Sequence, residues 1–306
     1  MASNILWTTE TWNPIVGCSA ISPGCDNCYA RSAAQSPRLQ QFPQYQKVKD
    51  WDGTVSFAEN QLLKPLGWRK GRKVFVCSMS DLFHVNVLDE WIDRIFAVMV
   101  LCPQHTFQVL TKRPQRMMKY IQEAEKRIQL AAIALADSVN RGSFMWQYPL
   151  PNVWLGTSTE NQETANQRIP YLIKTPAAVR FLSCEPLLES IDLSAHLPIE
   201  WSELAEDWIE SFPGAEAYEK KLHWVIVGGE SGTNARPCHL DWLRSIVSQC
   251  KSGKVAVFVK QLGSVAIDSN DYIVDVAVNN FKLKLKDRKG GDIDEFSDDL
   301  KVRDFP

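Results

Sequence analysis

The chain has 306 residues, of which 45% are hydrophobic and 23% are charged, and its formal net charge at pH 7 is −2. These values are typical of a globular protein with a large core, and they argue against a broadly basic surface that coats nucleic acid. No apolar run reaches the ~18 residues of a membrane span, and the N-terminus lacks the basic and apolar regions of a secretory signal. The sequence therefore predicts a cytoplasmic protein with no membrane partner.

The first predicted strand, residues 14–18, leads into a loop that contains three cysteines. Cys18, Cys25 and Cys28 follow the spacing C-x6-C-x2-C. Disulfides are rare in the cytoplasm, so clustered thiols there indicate a metal site. Three thiolates suit an open [4Fe–4S] cluster, which keeps one iron free for a small ligand. Cysteines without a metal are one alternative. A zinc site is another, and it needs a distant fourth ligand such as His84, His105 or His239.

The other five cysteines are scattered through apolar segments of the chain. Free cysteine is among the residue types that are most often buried. We therefore expect five core side chains that bind no metal, at Cys77, Cys102, Cys184, Cys238 and Cys250.

After the cysteine loop, short apolar runs alternate with helical patterns. A weak strand at 54–59 is followed by six near-continuous apolar runs that each end in a polar cluster, at 73–81, 105–113, 152–160, 179–186, 223–232 and 254–261. Runs of this kind are typical of parallel strands that are buried on both faces. Apolar residues at helical spacing predict helices between the strands, at 87–102, 114–140, 161–175 and 239–252.

The alternation of strand and helix predicts right-handed βαβ units and a parallel sheet in an α/β fold. Eight predicted strands match a complete (β/α)8 barrel with the cysteine loop after its first strand, and an open sheet or a partial barrel fits as well. Residues 1–263 would form this barrel, with an acidic insertion at 188–221. Residues 264–306 would form a C-terminal extension that packs on the barrel.

The polar clusters of such a barrel share one mouth, because active sites of this fold lie at the carboxyl ends of the strands. Lys112, Arg113 and Arg116 form the densest basic group there and suit a substrate phosphate. The alternative for this basic group is an ordinary helix start whose side chains are solvated and bind no ligand. Asp81 and Glu185 suit ribose hydroxyls or a substrate amine, and the alternative for both is an ion pair with Lys112 or Arg113.

The order of these motifs resembles the radical S-adenosylmethionine (SAM) superfamily, in which a three-cysteine loop follows the first strand of a β/α barrel. More closely, it resembles a phage- and bacteria-associated family known for a three-Cys motif. The superfamily usually has three residues in the first cysteine gap and an aromatic residue before the last cysteine, whereas this chain has six residues and Asn27. The closer resemblance covers nearly the whole chain, through TWNPIVGCSAISPGCDNCYA, SMSDLFH, LTKRPQR, NVWLGTSTE, FLSCEPLL, WVIVGGESG and DRKGGDIDEF.

The resemblance implies a radical SAM enzyme in which the open iron of the [4Fe–4S] cluster chelates the amino and carboxylate groups of SAM. An electron donor such as flavodoxin or ferredoxin would reduce the cluster, which then cleaves SAM to a 5′-deoxyadenosyl radical. The superfamily often has a GGE segment after its second strand; FAEN (57–60) stands in that place, and Glu59 is expected to substitute. The residues expected to bind the cofactor are Glu59, Ser78, Ser80, Asp81, Thr157, Ser158 and Glu185.

A nucleotide or nucleic acid is the expected substrate, for modification or repair, because of the phage association and the basic group at the mouth. The residues expected to bind it are Lys112, Arg113, Arg116 and Glu230. The main alternative is a non-catalytic Fe–S or zinc protein that binds nucleic acid or a protein partner. An ordinary barrel hydrolase or lyase with structural cysteines is a third interpretation, and it needs a catalytic histidine or carboxylate pair that the sequence does not single out.

Overall fold

A computed structural model of the chain describes residues 5–197, 222–268 and 282–306. The chain separates into two compact units. The first comprises Met1–Thr157 and Thr175–Val179, and the second comprises Ser158–Lys174 and Arg180–Pro306. Among the residues so described, no helix has the length and apolar character needed to cross a membrane.

Short strands and helices alternate along most of the chain. The strands are β1 (Glu10–Trp12), β2 (Ile15–Val16), β3 (Ser56–Phe57), β4 (Lys73–Val76), β5 (Thr106–Thr111), β6 (Val153–Ser158), β7 (Val179–Cys184), β8 (Trp224–Gly228), β9 (Cys238–His239), β10 (Ala256–Gln261) and β11 (Ala266–Ile267). The helices are α1 (Tyr29–Ala34), α2 (Pro43–Gln46), α3 (Glu59–Leu62), α4 (Asp89–Val100), α5 (Pro114–Glu123), α6 (Glu125–Ser138), α7 (Gln162–Lys174) and α8 (Leu240–Ser252).

Parallel strands form the core of each unit. In the first unit the order is β1, β4, β5 and β6, and in the second unit it is β7, β8 and β10. Consecutive residues of these strands are buried, for example Val74, Phe75 and Val76 in β4. Burial of neighbouring residues means that both faces of the strand are covered, which is why the sequence shows continuous apolar runs. The predicted α/β class with parallel strands is confirmed.

Two of the eight predicted strands, those at 14–18 and 54–59, do form as β2 and β3, but they lie outside the parallel ladders. β2 and β3 instead pair with each other in an antiparallel two-stranded sheet. One of the two parallel neighbours of β4 is β1, which was not predicted. Pro14 follows β1 closely and has no N–H to donate to a ladder, so the chain leaves the sheet there. Among the described residues, the main parallel ladders thus contain seven strands, one fewer than a complete (β/α)8 barrel requires, and β9 and β11 form a separate parallel pair.

The predicted helices are confirmed at α4, α7 and α8, while the single helix predicted at 114–140 is two helices. α5 ends and α6 begins at the buried Ala124. The apolar spacing in α4 is explained by its buried face, which carries Ile92, Ile95, Phe96 and Met99.

The C-terminal residues pack on the strands of the second unit. The Asp304 N–H donates to the Val257 carbonyl at 2.9 Å, and Trp224 Nε1 donates to the Asp304 carbonyl at 2.9 Å. The Phe305 ring lies 5.2 Å from the Trp224 ring, measured between centroids. Parts of two predicted segments lie outside the described residues, namely 198–221 of the insertion and 269–281 of the extension.

Candidate metal centre

The eight cysteines divide into two groups by burial, and all are free thiols. The three cysteines of the loop, Cys18, Cys25 and Cys28, are half-buried. The prediction of five core cysteines is confirmed, because the buried thiols are those of Cys77, Cys102, Cys184, Cys238 and Cys250. The loop thiols are therefore the ones that solvent, and a metal delivered through it, can reach.

The cysteine loop runs from the end of β2 to the start of α1. A 3₁₀ turn at Pro23–Cys25 leads to Cys28, which is the N-cap residue of α1 and donates its N–H to the Cys25 carbonyl at 3.3 Å. Cys18 and Cys28 pack against one small hydrophobic cluster, which is formed by Val16, Ala30, Ala34, Tyr45, Val48, Trp51 and Met79. A shared cluster holds the two ends of the loop in one neighbourhood.

Gly17 fixes the chain where the loop begins. Its φ is +95°, and a Cβ atom there would lie 2.2 Å from the Thr54 carbonyl oxygen and 2.7 Å from Val48 Cγ1. The Gly17 N–H donates to the Met79 carbonyl at 3.1 Å. Only glycine adopts such a φ at little cost while another backbone approaches this closely.

We expect Gly17→Ala to lower the free energy of unfolding by about 2–4 kcal/mol, because it adds backbone strain and an overlap with the Thr54 carbonyl. Urea unfolding followed by circular dichroism measures the change. Gly67→Ala is the matched control, since a Cβ there meets nothing within 4 Å. It should stay within about 0.5 kcal/mol of wild type. Equal stability of Gly17→Ala and Gly67→Ala would contradict the conclusion that position 17 requires glycine.

Arg113 joins the first cysteine to a buried carboxylate. Its Nη1 atom lies 3.7 Å from Cys18 Sγ and donates to Asp81 Oδ2 at 2.9 Å. Its Nη2 atom donates to the carbonyl and the Oγ atom of Ser19, both at 3.2 Å. Burial alone would lower the pKa of Arg113, but the neighbouring Asp81 and Cys18 raise it. A permanent cation is therefore held against the loop.

Asp81 is buried at the end of β4 and accepts four hydrogen bonds. Two come from side chains, Thr111 Oγ1 at 2.6 Å and Arg113 Nη1 at 2.9 Å. Two come from the backbone N–H groups of Lys112 at 3.1 Å and Phe83 at 2.9 Å. The carboxylate ties the end of β4 to the end of β5 and to Arg113. This ion pair is the structural alternative that was predicted for Asp81, and its contact with a ribose stays a prediction.

Burial and the Asp81 charge raise the pKa of Cys18 to about 11, and Arg113 opposes this with a smaller effect. Without a metal, the Cys18 thiol is therefore protonated at neutral pH. Metal ligation requires the thiolate, so binding of a metal here must release this proton.

His84 lies beside the loop but is not arranged as a catalytic base. Its Nε2 atom is 2.8 Å from Ser19 Oγ, and its Nδ1 atom accepts from the Asn86 N–H at 3.2 Å. The ring proton therefore lies on Nε2, which donates to the serine. A Ser–His hydrolase needs the opposite direction, with the histidine accepting the serine proton. Burial, followed by Arg113, lowers the pKa of His84 and favours the neutral ring.

The strand-end hydroxyls predicted to bind SAM are directed at protein acceptors. They are Ser78 to Asn13 Oδ1 (3.1 Å), Ser80 to the Ile15 carbonyl (2.9 Å) and Thr157 to the Thr111 carbonyl (2.8 Å). Ser158 is buried, and its carbonyl accepts from Arg168 at 2.8 Å. A hydroxyl that donates to the protein still has lone pairs, so a ligand that donates can bind there.

The three predicted glutamates each form an ion pair with a basic side chain. Glu59, on α3, contacts Arg94 and lines a largely apolar cleft of about 410 Å³. In the second unit, Glu185 pairs with Lys260, and Glu230 pairs with Arg236 at 2.7 Å. The ion-pair alternative predicted for Glu185 named Lys112 or Arg113, and the partner seen within the second unit is Lys260.

Two members of the predicted basic group donate hydrogen bonds to acceptors within the protein. Arg113 bonds to Asp81 and Ser19, and Arg116 donates to the carbonyls of His84 and Val87 and to Asp89. Phosphate binding by Lys112, Arg113 and Arg116 stays a prediction. Ser19 was not predicted to belong to the site, although its position next to Cys18 was a signal.

The donor chemistry of the loop fits a thiolate-bound metal. Thiolates select iron–sulfur clusters, zinc and copper(I), and three reachable thiols supply such a set. In the part of the chain that the structure describes, no three or more His, Cys, Asp or Glu side chains are gathered closely enough to hold a metal.

Three comparisons with known proteins bear on the identity of the chain. Neither the curated proteins nor the solved structures gave a match. A family model described as "Protein of unknown function (DUF5131)" matches residues 2–296, which include the cysteine loop and all the parallel strands. The chain therefore belongs to the DUF5131 family.

Proposed function

We propose that the protein is a radical-SAM-like enzyme whose [4Fe–4S] cluster is held by Cys18, Cys25 and Cys28. The observation that carries this proposal is the contrast between three reachable thiols within residues 18–28 and five buried ones. Three thiolates leave one iron open to a small ligand. When bound and reduced, such a cluster supplies the electron that cleaves SAM into methionine and a 5′-deoxyadenosyl radical.

The chain itself would hold and orient the cofactor. The hydrophobic cluster under the loop covers one side of Cys18 and Cys28 and keeps water from it. The hydroxyls of Ser78, Ser80 and Thr157 have lone pairs that suit the ribose hydroxyls or the ammonium group of SAM. Flavodoxin or ferredoxin is the expected class of electron donor, and a nucleotide or nucleic acid is the expected class of substrate.

The test uses full-length protein reconstituted anaerobically with iron and sulfide and then reduced. We expect SAM to change the EPR spectrum of the reduced cluster, because the amino and carboxylate groups would bind the open iron. We also expect 5′-deoxyadenosine to form, and to form faster with the correct candidate among nucleotides, single-stranded DNA and RNA. An unchanged spectrum together with no 5′-deoxyadenosine would reject SAM chemistry.

One observation favours a second candidate, an iron–sulfur or zinc protein that binds nucleic acid or a protein partner without catalysis. The polar groups expected to bind SAM are occupied by the protein: Asp81 accepts four hydrogen bonds, and Glu59 pairs with Arg94. This candidate predicts metal in the loop with no response to SAM. The EPR measurement therefore separates the two candidates.

A further inference from the structure

We infer that Arg113 is a positioning residue for the metal centre: it donates to the sulfur of Cys18, is itself held by Asp81, and raises the reduction potential of the bound cluster. The inference rests on the proposed function, because it assumes that Cys18 ligates iron. It goes further by assigning Arg113, which was predicted to bind substrate, to the cluster.

The geometry of Arg113 suits this role. Its side chain is 14% exposed, and that of Asp81 is 7% exposed, so the pair is shielded from solvent. The guanidinium divides its donors among Asp81, Ser19 and the Cys18 sulfur. Only a planar fork with several N–H groups reaches these acceptors at once, and lysine has a single nitrogen.

The direction of the effect follows from charge. Reduction adds an electron to the cluster, and a nearby cation or an N–H donor to a ligand sulfur stabilises that added negative charge. Removing the Arg113 guanidinium takes away the donor and also leaves the Asp81 carboxylate beside the loop without its cation. Both changes favour the oxidised cluster, so the reduction potential should fall.

A purely structural role makes a different prediction. Arg113 also holds the loop through Ser19, and a purely structural role predicts that its loss only loosens the fold or lowers the iron content. A clamp of this kind does not change the potential of those molecules that still carry a complete cluster. The potential of the loaded protein therefore distinguishes the two roles.

The experiment is a redox titration of anaerobically reconstituted full-length protein, followed by EPR, for wild type, Arg113→Met, Arg113→Lys and Arg116→Met. Arg116 is the matched control, because it starts from the same helix α5 but donates to backbone carbonyls and Asp89. At the wild-type midpoint, the ratio of reduced to oxidised cluster should fall about tenfold in Arg113→Met, which corresponds to about 59 mV for one electron. The midpoint potential of Arg113→Lys should lie between those of wild type and Arg113→Met. The midpoint potential of Arg116→Met should equal that of wild type.

Equal potentials in loaded wild type and loaded Arg113→Met would overturn the inference while leaving the proposed function intact. A wild-type protein that binds no iron would overturn the proposed function and this inference together. If Arg113→Met does not fold, Arg113→Lys decides the matter: a potential below that of wild type supports the inference, and an equal potential overturns it.

Discussion

Alanine at Cys18, Cys25 or Cys28 should reduce the iron content of the reconstituted protein from about four atoms per chain to well below one. Two remaining thiolates cannot hold three irons of a cluster, and the other cysteines are buried and cannot replace the missing ligand. Iron analysis and the visible absorbance of each purified variant measure the loss. This is the largest effect that we expect on the metal centre.

Cys184→Ser is the control for this series, because Cys184 is fully buried on β7 and its thiol lies 3.5 Å from Thr159 Oγ1. The variant should lose stability and keep its iron. Loss of iron from folded Cys184→Ser would show that a ligand has been assigned wrongly. Stoichiometric zinc without iron in the reconstituted wild type would favour the zinc alternative.

The largest effect on stability should come from Asp81→Ala, which should lower the free energy of unfolding by about 3–5 kcal/mol. The substitution leaves the Arg113 cation shielded from water without its partner, and it removes the acceptor of the Thr111 hydroxyl and of two backbone N–H groups. Denaturant unfolding of the metal-free protein measures the change without interference from iron.

Asp298→Ala serves as the control for Asp81→Ala, because Asp298 also pairs with a cation but its side chain is 96% exposed. Exposed ion pairs contribute little, so this variant should lie within about 1 kcal/mol of wild type. The double variant Asp81→Ala/Arg113→Met should be less destabilised than the sum of the single changes, since it removes the unpaired charge. A loss of less than about 1 kcal/mol in Asp81→Ala would refute the structural role of the carboxylate.

The parallel strands of the fold could be predicted because burial on both faces leaves a strong signal in the sequence. β4, β8 and β10 each show a run of buried apolar residues. β1 has only three residues, two of them half-buried, and so carries too short a pattern. β2 and β3 are two residues each, and nothing in their composition distinguishes an antiparallel pair from a parallel strand.

The burial classes of the cysteines could also be predicted, since the buried thiols lie in apolar segments and the half-buried ones lie in a clustered loop. The hydrogen-bond partners of the polar residues at the strand ends could not be predicted. Ser78, Ser80 and Asp81 were placed together because all three end the predicted strand at 73–81, but whether each side chain meets a ligand or the protein depends on contacts between distant parts of the chain. The Asp81–Arg113 pair is one example, because its members are 32 positions apart.

The contact of Arg113 with Cys18 also has a consequence for the order in which the centre assembles. The two residues are 95 positions apart, whereas Cys25 and Cys28 belong to one short turn. In an unfolded chain the short turn closes at little entropic cost, whereas bringing Arg113 to Cys18 costs more chain entropy. A metal captured during synthesis would therefore meet thiols without the guanidinium, which arrives only after β4 and β5 have paired. Small zinc domains fold around their metal; in the centre proposed here the scaffold would form first, and the metal would bind late.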